Sequence, residues 1–308
     1  MENQTTVAEF ILLGFSRDPR MQILLFLVFF IIYLITLFGN IVIMVVIRAD
    51  SYLHTPMHFF LFHLSFVDIC YSSVTVPNML VNFLAEHKSI SVHGCIAQAF
   101  FIFFAAGAEV FILSAMAYDR YAAICDPLNY KMNKGICFLL VSGAWGIGFI
   151  DATLNTVFAL KLHFCGSNQI SHFSCELPPL LQLSCTDTLS NQIVVFSSVV
   201  ILGASSFLFT LVSYIHIIST ILRIRSAEGR RKAFSTCSSH LIVVALLYLT
   251  GLFQYTKPSS VSSVLVDEMF SLQYSILTPM LNPIIYSLKN REVKTAIGKM
   301  LGKFKIFK

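Results

Sequence analysis

Seven long apolar runs, near residues 22–47, 57–81, 96–118, 136–159, 191–222, 238–256 and 264–287, constrain this chain more than any other feature. Each is close to or above the roughly 20 residues that an α-helix needs to cross a bilayer. A segment in lipid must satisfy its own backbone hydrogen bonds, so the runs read as helices packed side by side. The expected fold is an all-α membrane protein, a seven-transmembrane helix bundle with a short amphipathic C-terminal helix. Composition supports this at the point where it discriminates: 12% of the 308 residues are charged, about half the usual share in soluble domains. The fifth run is long, and the seventh is interrupted by Pro279 and Pro283. The runs differ too much in length and polarity to suggest the duplication found in many transporters. The chain is therefore expected to be one receptor-sized unit over 1–308, with an N-terminal segment 1–21, a bundle 22–287, and a helix and tail 288–308.

Orientation follows from the cations. With the N-terminus outside, all the Lys and Arg residues fall on the inner side except Arg17, Arg20, Lys88, Lys161 and Lys257. That bias predicts N-terminus out and C-terminus in. It also disposes of nucleic acid as the reason for a net charge of +5, because the positive residues gather along one membrane face. Met1–Phe10 lacks a basic leader and cleavage site, so the first helix is expected to act as the insertion signal. Asn3-Gln4-Thr5 is a glycosylation acceptor on the outer side in this topology. In the tail, Val293, Ile297, Met300 and Leu301 recur at helical spacing among lysines, the pattern of a helix lying on an anionic leaflet.

Chemistry concentrates in a few places. Met116–Tyr130, MAYDRYAAICDPLNY, puts Asp119 and Arg120 at the inner end of the third run. A charge there stays partly solvated while facing other helices. Arg120 reads as a group held by Asp119 and available to another partner. The inner ends of the later runs offer Ser213-Tyr214, the loop and helix start RIRSAEGRRKAFSTCSSH at 223–240, and Asn282-Pro283-Ile284-Ile285-Tyr286. Small residues there let helices slide, and the Asn-Pro pair supplies a hinge.

Asp68 and Glu109 are ionisable groups deep in apolar sequence, with Asn40, Ser114, Asn282 and Ser287 at similar depth. Burying such groups is costly unless they are paired or hydrated. They form either a hydrated polar cluster that holds a cation and rearranges on switching, or a protonated carboxyl pair packed for structure. Asp151 has no partner assignable from sequence.

Of eight cysteines, Cys95, Cys165, Cys175 and Cys185 fall on the outer, oxidising side. They predict two disulfides with three possible connectivities, since their spacing does not match zinc ligation. Cys70, Cys125, Cys137 and Cys237 are expected to be free. The outer halves of the runs, at Phe101–Ala106, Val199–Gly203, Leu252, Tyr255 and Leu272–Ile276, suit a concave apolar chamber for a small hydrophobic ligand. No phosphate-binding glycine loop, His-Glu-x-x-His or nucleophile–base spacing is present, and His172 with Cys175 is a poor candidate for catalysis. The chain is not expected to be an enzyme, and no cofactor or metal is implied.

Together Gly39-Asn40, LHTPMHFFL (53–61), LSFVDIC (64–70), MAYDRYAAICDPLNY (116–130), Ser213-Tyr214, KAFSTCSSHL (232–241) and PMLNPIIYSLKN (279–290) resemble a rhodopsin-like G-protein-coupled receptor. More narrowly they resemble a vertebrate olfactory receptor of the tetrapod-type class II, over essentially the whole chain. The resemblance implies disulfides Cys95–Cys175 and Cys165–Cys185. It implies a switch of Asp119, Arg120 and Tyr121 with Tyr214, His240 and Tyr286 as partners. It implies odorant contacts at Ile102, Phe103, Ala106, Gly107, Ser198, Val199, Leu202, Tyr248, Gly251, Leu252, Tyr255, Leu272, Ser275 and Ile276. The implied partners are a small volatile odorant, a heterotrimeric stimulatory olfactory-type G protein that raises cyclic AMP, and membrane lipid. The implied location is the plasma membrane of sensory cilia. His58 departs from the tyrosine usual at its place, and Leu247-Tyr248-Leu249 replaces Phe-Tyr-Gly. Ile102 stands where amine receptors of the wider class carry aspartate, and no lysine occurs in 264–287, which argues against a simple amine or a Schiff-base ligand.

Overall fold

The computed structural model describes residues 7–15, 18–85, 88–128, 130–256 and 264–306, with backbone alone at 236, 252–256, 264–265, 301 and 303–306. Asn3 and the side chains of Leu252 and Tyr255 lie outside the described residues. The bundle is formed by α1 (Pro19–Ala49), α2 (Pro56–Leu84), α3 (Val92–Cys125) and α4 (Lys134–Ala159). A short α5 (Leu177–Leu181) precedes α6 (Leu189–Ser198) and α7 (Ala204–Arg223), and then come α8 (Ala227–Thr256), α9 (Val264–Leu272), α10 (Thr278–Lys289) and α11 (Arg291–Ile306). α6 and α7 are one continuous 35-residue span joined by a π-helical turn at Val199–Gly203, and a second such turn at Gln273–Leu277 joins α9 to α10. Among the described residues, five helices are long and apolar enough to cross a membrane, and Ala227–Ser235 with Cys237–Gly251, bent by 49°, makes a sixth. The seventh predicted span is the broken α9–α10 unit.

Helix boundaries sit where local chemistry puts them. Asp18 accepts from the Arg20 amide ahead of Pro19, Ser91 from Gly94, and Asn133 from Ile136. Each satisfies an amide that has no partner inside the helix. Asn290 does the same for Glu292 and Val293, separating α10 from α11. The seventh span breaks one turn before Pro279, which lacks an N–H and crowds the preceding turn. There the Thr278 amide reaches back five residues to the Gln273 carbonyl, and the Thr278 hydroxyl donates to the same oxygen at 3.1 Å. Pro283, by contrast, is carried inside α10. The tail follows its predicted pattern: Val293 and Ala296 are buried, Ile297 and Met300 pack beside them, and Glu292 and Lys294 are exposed.

One contact sets the spacing at the centre. A Cβ on Gly107 of α3 would lie 2.8 Å from the Gly148 Cα of α4, and one on Gly148 would lie 2.7 Å from the Phe104 carbonyl oxygen. The two backbones touch as small residues permit in membrane bundles. Gly148→Leu is expected to force α3 and α4 apart at a cost of about 1–3 kcal/mol, read as a lower melting temperature of the purified protein. An unchanged melting temperature would mean that the contact carries no stability.

At one end a three-stranded sheet, in the order β2-β1-β3, covers the helix ends: β1 (Glu9–Leu12) runs antiparallel to β2 (Ser89–Ser91) and parallel to β3 (Gln169–Ile170). Cys95–Cys175 and Cys165–Cys185 are bonded at this end, with Cα separations of 5.2 and 5.9 Å. Cys70, Cys125, Cys137 and Cys237 are free thiols.

Candidate functional site

Three groups of predicted residues lie at three levels along the bundle. At the end away from the sheet, Asp119 is fully buried and its Oδ2 accepts from Arg120 Nε at 3.0 Å and from a second guanidinium nitrogen. Its other oxygen accepts from the Tyr130 hydroxyl at 2.6 Å. Burial, then the bond to Asp119, pushes the Tyr130 phenol above its ordinary pKa, so it remains a donor at neutral pH. Tyr130 thus closes the clasp that the sequence assigned to Asp119 and Arg120 alone.

Tyr214 is held elsewhere. His240 Nε2 lies 3.0 Å from the Leu113 carbonyl, which can only accept, so Nε2 carries the proton and Nδ1 accepts from the Tyr214 hydroxyl at 2.6 Å. α8 is thereby tied to both α3 and α7. Tyr286 is buried with its hydroxyl unpartnered among the described residues, and Tyr121 packs edge-on against His216, 5.7 Å between ring centres. The predicted switch residues therefore occupy one end in two separate hydrogen-bonded groups, with Arg120 engaged by Asp119.

Midway, Asn282 of α10 donates to both oxygens of Asp68 at 3.1 Å. Glu109 is buried, near enough to act electrostatically on Asp68, and its Oε1 has no partner among the described residues. Asn40 spans from the Thr36 carbonyl to that of Pro279, both at 3.0 Å, linking α1 to the break in the seventh span. Ser114 does not join this group: it faces α7, 3.2 Å from Thr210 Oγ1. Its own helix supplies the Val110 carbonyl as a further acceptor, which a serine in an apolar span takes readily.

Toward the sheet end the predicted odorant residues divide. Ile102 is buried in the central apolar cluster, with Tyr248 and Tyr274 packed on it. Leu272 and Ile276 belong to a neighbouring cluster with Phe29, Met79 and Phe173. Tyr248 meets the Phe207 ring edge-on at 5.2 Å, and its buried hydroxyl has no partner among the described residues. Other members are engaged by the scaffold. Gly107 is pressed against Gly148, Phe103 packs around the Cys95–Cys175 cluster, and Ser275 donates to the Ser271 carbonyl at 2.6 Å. Ala106 of α3, and Val199 and Leu202 of the π turn, are partly buried, as is Gly251, which has open space where a side chain would stand.

Two polar hubs at this end escaped sequence reasoning. Asp151 finds a partner after all: Ser198 donates to it at 2.5 Å, and Asn155 donates to Asp151 at 3.2 Å and to Ser198 at 3.1 Å. The Ser198 hydroxyl therefore bridges α4 and α6. Glu176, beside the bonded Cys175, accepts from the Tyr274 hydroxyl at 2.6 Å, from the Ser271 hydroxyl, and from Ser174 at 3.3 Å, with His172 Nε2 at 3.9 Å. Gln98 of α3 holds the same segment from the other side, accepting from the Cys175 amide and donating to the Val74 carbonyl, each at 2.9 Å. Residues 172–176 form a strap across the bundle mouth. With Cys175 in a disulfide, no His172–Cys175 nucleophile exists.

The olfactory receptor family profile matches residues 29–304. Olfactory receptor 5G9 of Mus musculus is 49% identical over 99% of this chain and 98% of its own length. Olfactory receptor 5A1 of Homo sapiens is 51% identical with the same coverage, and olfactory receptor 2F1 of Homo sapiens is 50% identical over 98% and 96%. With similarity of this degree along nearly the full length of each relative, and with the helices just described, the chain belongs to the olfactory receptor family, a family of G-protein-coupled receptors rather than enzymes, and is a multi-pass protein of the plasma membrane.

Proposed function

We propose that this receptor binds a small, mostly apolar volatile odorant between α3, the α6–α7 span, α8 and the α9–α10 span, and signals through a stimulatory olfactory-type G protein that raises cyclic AMP. In this reading the N-terminus is extracellular, the C-terminus cytoplasmic, and the protein works in sensory cilia. The unmet hydroxyl of Tyr248, buried beside Ile102 and Phe207, supports the ligand reading most directly. A buried unpaired hydroxyl costs about 1–3 kcal/mol, and an odorant oxygen accepting its hydrogen bond would recover that cost within apolar walls.

Odorant binding shifts the bundle only as far as the ligand prefers one state over the other. The shift releases Arg120 from Asp119 and moves α8 relative to α3 and α7. Asp68, Asn282 and Glu109 form the polar middle through which the two ends communicate, with room in their hydrogen bonding for a cation. The test is cyclic AMP in cells expressing the chain with that G protein, screened against volatile odorants with surface staining as control. A dose-dependent response supports the reading, whereas an odorant-evoked current without G protein would replace it with an ion pathway. For an oxygenated agonist, Tyr248→Phe is expected to raise the half-maximal concentration about tenfold with surface level unchanged. An unaltered dose curve would place the ligand away from Tyr248.

A further inference from the structure

Outside the bundle, between the sheet and the first ends of α1 and α2, lies a groove of about 830 Å³ lined by Glu9, Leu12, Ile23, Phe83, Leu84 and Lys88 among others. Its apolar wall is continuous with membrane-facing surface: Ile23 and Leu84 are 56% and 60% exposed, and α1 turns most of its apolar side outward. Its polar rim carries one carboxylate and one ammonium. Lys88 has no carboxylate partner among the described residues, and burial lowers its pKa from the ordinary lysine value, a cost that a bound anion would relieve. A narrow recess of about 10 Å³ shares Leu12, Leu13, Phe83 and Lys88 with the groove and reaches inward to Asn82. Asn82 is 8% exposed, and its Nδ2 has no partner among the described residues.

We propose that this groove holds one zwitterionic glycerophospholipid drawn from the surrounding leaflet. Its phosphate lies on Lys88, its headgroup ammonium on Glu9, and an acyl chain runs along Ile23, Phe83 and Leu84. Asn82 supplies a donor to an ester carbonyl or to a water beneath it. The opposed charges of the rim match a zwitterion, whereas an anionic headgroup without an ammonium would leave Glu9 facing negative charge. Because β1 forms one wall, the lipid would also fasten the N-terminal strand to the bundle.

The test is native mass spectrometry of the full chain released from nanodiscs of phosphatidylcholine mixed equally with phosphatidylglycerol. One phosphatidylcholine is expected to persist after the annular lipids are stripped. Lys88→Gln and Lys88→Glu are expected to reduce its retention about fivefold or more, and Glu9→Lys combined with Lys88→Glu to restore it. Melting temperature confirms that each variant is folded. Equal retention of both lipids, no retained lipid in folded protein, or indifference to the charge variants would each overturn the proposal.

Discussion

Arg120→Ala is expected to abolish odorant-evoked cyclic AMP while leaving the receptor at the cell surface. The argument begins with the clasp at the end of α3, where Asp119 is wholly buried and spends one oxygen on Arg120 and the other on Tyr130. A guanidinium held by a neighbouring carboxylate is charged, directional and removable, the properties required of a group that changes partner when a bundle switches. In the variant Asp119 keeps the Tyr130 hydroxyl, and α3 remains packed against α2, α4 and α7, so folding is retained while the transferable cation is gone. The reciprocal change, Asp119→Asn, removes the charge that restrains Arg120 and is expected to raise signalling without odorant. Tyr130→Phe should do the same more weakly, because it deletes one hydrogen bond rather than an ion pair. These three variants are compared by basal and evoked cyclic AMP, normalised to surface staining. A full evoked response in Arg120→Ala would remove Arg120 from the mechanism, and a silent basal state in Asp119→Asn would mean that the clasp is not what holds the resting receptor.

The parts of this architecture that could be read from sequence are those with local causes. Apolar length marked the spans, and Asn133 and Asn290 mark helix starts through bonds to amides two or three residues on. What could not be read depends on distant partners. Glu176 meets Tyr274 98 residues away, and Asp151 meets Ser198 47 residues away. Neither spacing has a signature, because nothing local demands it. Strand β1 was concealed for a related reason: four residues within what reads as an N-terminal tail are too short to show alternation. They form a strand only because Leu12 donates to the Lys88 carbonyl and Ile11 to that of Asn168. The π turns depend on tertiary contacts as well, and they slightly rotate whatever follows them. Spacing alone therefore could not tell that Ser198 and Gly107 are engaged by the scaffold while the Tyr248 hydroxyl is left open.

Cys175→Ser is expected to lower surface expression at least about tenfold, the largest stability effect in the molecule. The Cys95–Cys175 bond closes a loop spanning 80 residues of separation, and chain entropy assigns such a closure about 4.5 kcal/mol. That is a large fraction of the net stability of an ordinary domain. The bond also fixes the strap on which Glu176 reaches Ser271 and Tyr274 and on which the Cys175 amide reaches Gln98. Without it those hydrogen bonds must order the segment by themselves, so the loss at the mouth is cooperative. Glu176→Gln separates the two contributions. It keeps the disulfide and the shape of the side chain but replaces a charged acceptor of hydroxyl hydrogen bonds with a neutral one, which halves their strength or more. Its surface level should therefore remain near normal, while the odorant response shifts because the strap is looser over Leu272, Ser275 and Ile276. If Cys175→Ser reached the surface as well as the unmodified chain, the strap would be held by Glu176 and Gln98 rather than by the disulfide, and Glu176→Gln should then prove the more damaging change.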